Sequence, residues 1–313
     1  MKIRPRKKAT LITKLTLSYF LIITLMAALL SIAFVSIAND YYTRDAQKLN
    51  TLILKQAANV VYYNVLVPVE KTLITLTQAN GTGAVLDDLI DEFDLPEVSE
   101  LCTTLKRSAS SSQNLLQGIH IYFTEGDYVA SSTMGYKRNT TANRIYWPNL
   151  DWFEAVQLLR TNDMYFTLRN IKHHQTAVII PVMTFIYPYP TTMPFIEADA
   201  NIALDVPISY LEDVLDEISG IDDRKMLVFD STGALIVNHA DPGAPASVKA
   251  MGYETNAECL EKEADGIFAT LGDSRSLRSC AMLPNGWLIV SYVPVDSFLA
   301  VNHTVIIVAI IIT

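Results

Sequence analysis

Half of the 313 residues are apolar and only 18% are charged, with a formal net charge of −9 and a positive mean hydropathy. A soluble enzyme is usually more polar, and an acidic balance of this size argues against nucleic acid as a partner. The apolar excess lies at the two ends, because neither 15–38 nor 298–313 contains an Asp, Glu, Lys or Arg.

Residues 1–14 form a basic tail: Lys2, Arg4, Arg6, Lys7, Lys8 and Lys14 precede the first acidic residue, Asp40. Leu15 to Ala38 is long enough to cross the roughly 30 Å hydrocarbon layer as a first transmembrane helix. A secretory signal peptide shares the basic start, but its apolar core spans only about 7–15 residues before a cleavage site. This run is longer and leads straight into a helix-patterned segment. The positive-inside rule then predicts a cytoplasmic N-terminus and an extracytoplasmic domain over 39–297 in the cell membrane.

A long helix is predicted over about Asp40 to Gln78. Leu49, Ile53, Gln56, Val60, Tyr63, Val67, Glu70 and Ile74 recur at alternating spacings of four and three, a heptad-like stripe,. It is either a homodimer seam or a face packed on its own domain, and Pro68 is expected to kink it. Further on, Gly118 to Phe123, the turn 124–127 and Tyr128 to Ser132 read as a hairpin, as do Lys225 to Asp230, the turn 231–233 and Ala234 to His239. Each hairpin is followed by longer strands: Thr176 to Phe185 and Asn201 to Val206 in the first unit, Ser276 to Leu283 and Trp287 to Val293 in the second. A helix over Ser209 to Ile218 joins them. Two tandem α+β lobes are the result, about 80–208 and about 221–296, and a proline-interrupted loop is expected over 187–194. Residues 298–313 read as the start of a second transmembrane helix. At 1.5 Å per residue they span only about 24 Å, so an output module is expected beyond residue 313.

The order of these pieces resembles the double Cache (dCache) extracytoplasmic sensor family. The resemblance rests on Trp152-Phe153, similar to that family's Trp-Tyr step, on the segment Asn201 to Leu211 with Asp205 inside it, on Val228-Phe229-Asp230-Ser231-Thr232-Gly233, and on Asn285-Gly286-Trp287 leading to Pro294. It implies a long N-terminal helix and two PAS-like antiparallel sheets, the first to be membrane-distal and ligand-binding, the second proximal. It also implies a cytoplasmic histidine kinase, chemotaxis, cyclase or AraC-type output. Leu150 stands where the amino-acid-binding branch has Arg, so no α-carboxylate clamp is present there unless Arg144 or Arg169 supplies one.

Catalytic motifs are absent from the sequence: it holds no Gly-x-Ser-x-Gly, His-Glu-x-x-His or Walker loop,. No enzyme activity, cofactor or metal is expected. Adjacent His173-His174 point to opposite faces of an extended chain, and His120 and His239 are read as ordinary strand histidines. The paired carboxylates Asp87-Asp88 and Asp222-Asp223 are read as solvated. Among Cys102, Cys259 and Cys280, a Cys259–Cys280 bridge is one reading and three small buried apolar residues the preferred one. The candidate ligand site is Arg144, Tyr146, Trp152, Phe153 and Asp205, aromatic walls with a few polar groups. Asp205 interrupts an apolar strand, so its carboxylate needs a compensating group: a ligand ammonium or hydroxyl, an internal Arg, or backbone amides. The expected function is the input half of a membrane-anchored receptor binding a small polar molecule. The alternative is an interaction ectodomain contacting cell wall or a membrane protein.

Overall fold

The computed structural model describes residues 11–78, 82–138, 152–172, 178–219, 224–238, 244–271 and 274–295. It begins with helix α1 (Leu11–Val61), a π-helical turn (Tyr62–Leu66) and α2 (Val67–Thr77). The apolar stretch 15–38 and the following helix are thus one element. Asp40, a potential cap, instead pairs with Arg44 at 3.0 Å one turn later,. Pro68 has no N–H to give Asn64, and its ring would collide with that carbonyl. The chain accommodates this in the π turn, where the Val67 N–H reaches back five residues to the Tyr62 carbonyl,.

Leu54, Ala57, Val61, Val65, Val69, Leu73 and Leu76 face the core. The stripe read from the sequence lies beside that face: Leu49, Gln56, Tyr63, Glu70 and Ile74 are exposed, and Ile53, Val60 and Val67 half-buried. Helices α3 (Thr82–Asp91) and α4 (Leu95–Ser111) follow. Asp87 is not simply solvated, because the Tyr189 hydroxyl donates to its carboxylate at 2.7 Å.

The first sheet, labelled distal after the expectation above as the second is labelled proximal, comprises β1 (Gly118–Phe123), β2 (Tyr128–Ser131), β3 (Gly135–Arg138), β4 (Tyr165–Lys172), β5 (Ile179–Tyr189) and β6 (Ala200–Pro207). Its order is β3-β2-β1-β6-β5-β4. A short helix, α5 (Trp152–Val156), precedes β4. Helix α6 (Ile208–Ser219) leads into the proximal sheet of β7 (Lys225–Phe229), β8 (Leu235–Asn238), β9 (Ile267–Leu271), β10 (Ser274–Met282) and β11 (Leu288–Pro294), with α7 (Asn256–Glu263) between β8 and β9. Its order is β8-β7-β11-β10-β9. Apart from β3, the two orders match strand for strand, which is the internal repeat seen as architecture.

Strands β3, β4 and β9 were not anticipated, and β5 runs into the first residues of the segment expected to be a proline-interrupted loop. Prolines fit because each has one neighbouring strand: β4 pairs no further than Ile186, short of Pro188, and β6 no further than Val182, short of Pro181,. The loop proper begins at the cis bond Tyr189–Pro190.

Helix α1 packs against β10, β11 and α6. Three side chains fasten it there: Gln47 donates to the Gly266 carbonyl, Thr51 to the Ala264 carbonyl, and buried Asn50 to Ser279 Oγ at 2.9 Å. Asn50 in turn accepts from Arg224 Nη1 at 2.6 Å. The lobes meet at Trp287, whose ring centroid lies 4.9 Å from that of Phe166 and 5.9 Å from that of Phe185.

Candidate functional site

Alternation along β6 sends Ile202, Leu204 and Val206 into the main core with the helices, and Asn201, Ala203 and Asp205 to the opposite, outer face,. On that face Ala203 joins Tyr122, Val129, Ile186 and Phe195 in a second apolar cluster, covered by Trp152, Phe153 and Val156 of α5. The Phe153 ring stacks on Tyr122, with centroids 4.4 Å apart. Cross-strand register places Gly118 and Thr184 beside Asp205, and His120 beside Ala203. The outer face therefore has an apolar end under α5 and a polar end around Asp205.

At the polar end Asp205 is fully buried and fully engaged. Arg169 Nη2 donates to both carboxylate oxygens, at 2.9 and 2.7 Å, and Thr184 Oγ1 donates to Oδ1 at 2.7 Å. His120 Nε2 lies 3.1 Å from Oδ2. Four contacts match the roughly four lone-pair sites of a carboxylate. Arg169 Nε is also held, by Thr184 Oγ1 at 2.7 Å, and His120 Nδ1 lies 2.8 Å from Ser131 Oγ. Burial pushes the Asp205 carboxyl up, but the Arg169 charge and the His120 and Arg169 hydrogen bonds outweigh it and hold the group well below the usual carboxylate range,. Since an ionised carboxylate only accepts, His120 Nε2 carries the hydrogen between them. Gly118 makes room: a Cβ there would come within 2.8 Å of His120 Nε2.

The apolar end holds a different kind of polar group. Among the described residues, the buried Trp152 Nε1 has no hydrogen-bond partner, and neither has the buried Asn201 Oδ1. Both lie on the outer-face side of the sheet, and each unmade bond carries a desolvation cost.

Of the five residues singled out from sequence, Trp152, Phe153 and Asp205 are thus brought to one face. Arg144 and Tyr146 lie outside the described residues, as do Trp147, Leu150, His173-His174, Asp222-Asp223, His239 and 298–313. Sequence reasoning gave Arg169 only a conditional role and passed over Thr184, Ser131 and Asn201. It treated His120 as an ordinary strand histidine, although His120 interrupts an apolar strand as Asp205 does, and that shared signal could have paired them.

The proximal lobe carries its own buried pair. Arg278 of β10 donates to both oxygens of Glu263 of α7, with Nε at 2.7 Å from Oε2, and the Tyr253 hydroxyl donates to Oε1. Burial and the Glu263 carboxylate push the Tyr253 hydroxyl up to about 12. One group of metal-ligating residue types occurs among the described residues, Cys259, Glu263 and Cys280, with ligand atoms within 4.8 Å of one another.

No protein-family model matches the sequence, and no curated protein matches it. Solved structures do. The ligand-binding domain of the Campylobacter jejuni chemoreceptor Tlp3 in complex with L-norvaline is 14% identical at a TM-score of 0.53, over 82% of this chain and 94% of that one. The same domain with 4-methylisoleucine gives 14% and 0.52 over 82% and 93%. The sensory domain with isoleucine bound gives 14% and 0.50 over 83% and 96%. The chain has the fold of these sensory domains, in keeping with the double Cache resemblance of its sequence.

Proposed function

We propose that this chain is the sensory half of a membrane-anchored receptor, and that a small polar ligand binds on the outer face of its distal sheet. The observation that carries the reading is the buried indole N–H of Trp152, without a partner among the described residues, at the apolar end of a face whose polar end is a fixed charge network. Binding sites pair apolar walls with a few oriented polar groups, and a ligand oxygen would supply the bond that Trp152 lacks. Phe153 walls the site through its stack on Tyr122, and Arg144 and Tyr146 are assigned to the same site. Asp205 takes part by orienting Arg169 and His120.

Amino acids are the ligands of the Tlp3 domains, yet two features turn this site toward ligands recognised through their acceptors. Leu150 stands in place of the family's Arg, and the Asp205 oxygens that would receive an ammonium group are already taken. The proximal lobe relays. The apolar stretch 15–38 anchors the chain with its N-terminus in the cytoplasm, and the partly exposed stripe Leu49 to Ile74 forms the seam of a parallel homodimer.

A thermal-shift screen of the full chain in lipid nanodiscs, against organic acids, amino acids, amines, purines and sugars, tests the site. Saturation at a hundredfold excess over Kd stabilises the folded state by about 2.7 kcal/mol. The shift given by a hit is expected to shrink in Trp152→Phe, which keeps the ring and removes the N–H. A shift that survives Trp152→Phe and is lost on altering the proximal lobe would place the site elsewhere.

A further inference from the structure

Cys259 on α7 and Cys280 on β10 are both buried, and their Sγ atoms lie 2.8 Å apart. That is well inside the closest comfortable approach of nonbonded heavy atoms, about 3.5 Å even for carbon. A metal would not draw the sulfurs so close, because two thiolates at about 2.3 Å from a tetrahedral ion stand about 3.8 Å apart. The third potential ligand, Glu263, is also taken: Arg278 covers both its oxygens and Tyr253 donates to one of them. A covalent S–S bond of about 2.05 Å needs the sulfurs to close by less than about 1 Å.

We propose that Cys259 and Cys280 form a disulfide that fastens helix α7 to strand β10 of the proximal lobe. The inference rests on the reading that this lobe lies outside the cytoplasm, where disulfides persist. The oxidant is a disulfide-bearing thiol oxidoreductase. One cysteine thiolate attacks the carrier disulfide, giving a mixed disulfide and one carrier thiol. The second cysteine, as its thiolate, displaces the remaining carrier sulfur, so that the two protons released end on the carrier dithiol and the two electrons with them. In the closed lobe the Cys280 thiol is held protonated by its contact with Cys259 and by burial, which makes it a poor nucleophile. Bridging therefore belongs to the folding stage, before α7 seals the pair. Once made, the bond locks the strand next to helix α1, since Ser279, which receives the Asn50 hydrogen bond, directly precedes Cys280.

The test is a thiol count on the full chain in membranes, quenched with an alkylating reagent, denatured without reductant and read by mass spectrometry. The expected result is one alkylated cysteine, Cys102, a linked peptide pair containing Cys259 and Cys280, and three alkylated cysteines after reduction. Reduction should lower the melting temperature of wild type by about 5–10 °C and leave the Cys259→Ser, Cys280→Ser double variant unmoved. Three alkylatable cysteines before reduction, in chain whose exposed Lys249→Cys position is labelled by an impermeant maleimide in intact cells, would overturn the proposal. If Lys249→Cys were shielded, the topology reading would be the one at fault. The count would then be taken on purified chain equilibrated with glutathione disulfide, where three free thiols again overturn the pairing.

Discussion

Each lobe buries one carboxylate against one arginine, and the two pairs are assembled from opposite sources. In the distal lobe both charges stand on strands, Asp205 on β6 and Arg169 on β4, with Thr184 of β5 bridging between them. In the proximal lobe the arginine stands on a strand, β10, and the carboxylate descends from helix α7. Aligning the sheets on the prolines that end β6 and β11 puts Tyr292 at the position of Asp205 and Arg278 at that of Thr184. The repeat thus keeps the backbone frame and exchanges the side chains within it. An ion pair between helix and sheet closes the space between them. A pair lying flat across strands leaves α5 to cover only the apolar end, where the Trp152 N–H lies without a partner among the described residues.

Breaking either pair should cost most. Arg169→Met leaves buried Asp205 with only Thr184 and His120 as side-chain donors, and Glu263→Gln leaves Arg278 without its counter-charge. About 3–5 kcal/mol is expected in each case from urea unfolding. A loss under about 1 kcal/mol at Arg169 would show that the distal pair opens to water. Next comes the joint between the lobes: Trp287→Leu, which removes its stacking on Phe185 and contact with Phe166, should lower stability by about 2–3 kcal/mol. It should also split one cooperative transition into two, seen by calorimetry.

One group in each lobe should also respond to pH with opposite sign. Because the folded Asp205 carboxyl titrates below its unfolded value of about 3.9, its contribution is complete above that value and is lost as pH falls below it. Asp205→Asn should therefore flatten the acid limb of the stability profile. Tyr253 has the reverse sign. Its hydroxyl is pushed up to about 12 from about 10, so its contribution holds below pH 10 and fades as pH rises toward 12. Tyr253→Phe should remove that share of the alkaline limb, the rest coming from Tyr128, Tyr187, Tyr189 and Tyr292, whose hydroxyls burial also pushes up, and should cost about 1 kcal/mol near neutrality. An acid limb unchanged in Asp205→Asn would sink the contrast.

The sequence disclosed what depends on local pattern. Hairpin β1-β2 was legible from its apolar strands and turn, β7-β8 from the Gly233 turn, and α6 as a helix joining the two units. Strand β4 was not, since Tyr165–Lys172 alternates weakly at the sheet edge. Nor was the continuation of β5 past Phe185 through Pro188, because the tolerance of that proline depends on where the neighbouring strand stops. The site followed the same division. Asp205 declared itself as a charge within an apolar strand, but its counter-charge is 36 residues away along the chain and only the strand order brings the two together. Cys259 and Cys280 posed the same problem.

Helix α1 is 51 residues long, about 75 Å, and it is gripped close to one end. Gln47, Asn50 and Thr51 are its attachments to the proximal lobe, leaving roughly 16 Å of rod between Asn50 and the π turn and roughly 58 Å between Asn50 and Leu11. Such a rod is a lever with unequal arms. If the grip acts as its fulcrum, a sideways shift of about 1 Å at the π turn becomes a swing of about 3.5 Å at Leu11, in the opposite direction. A ligand would then need to move the short arm by no more than a bond length to give the far end a displacement approaching the width of a side chain.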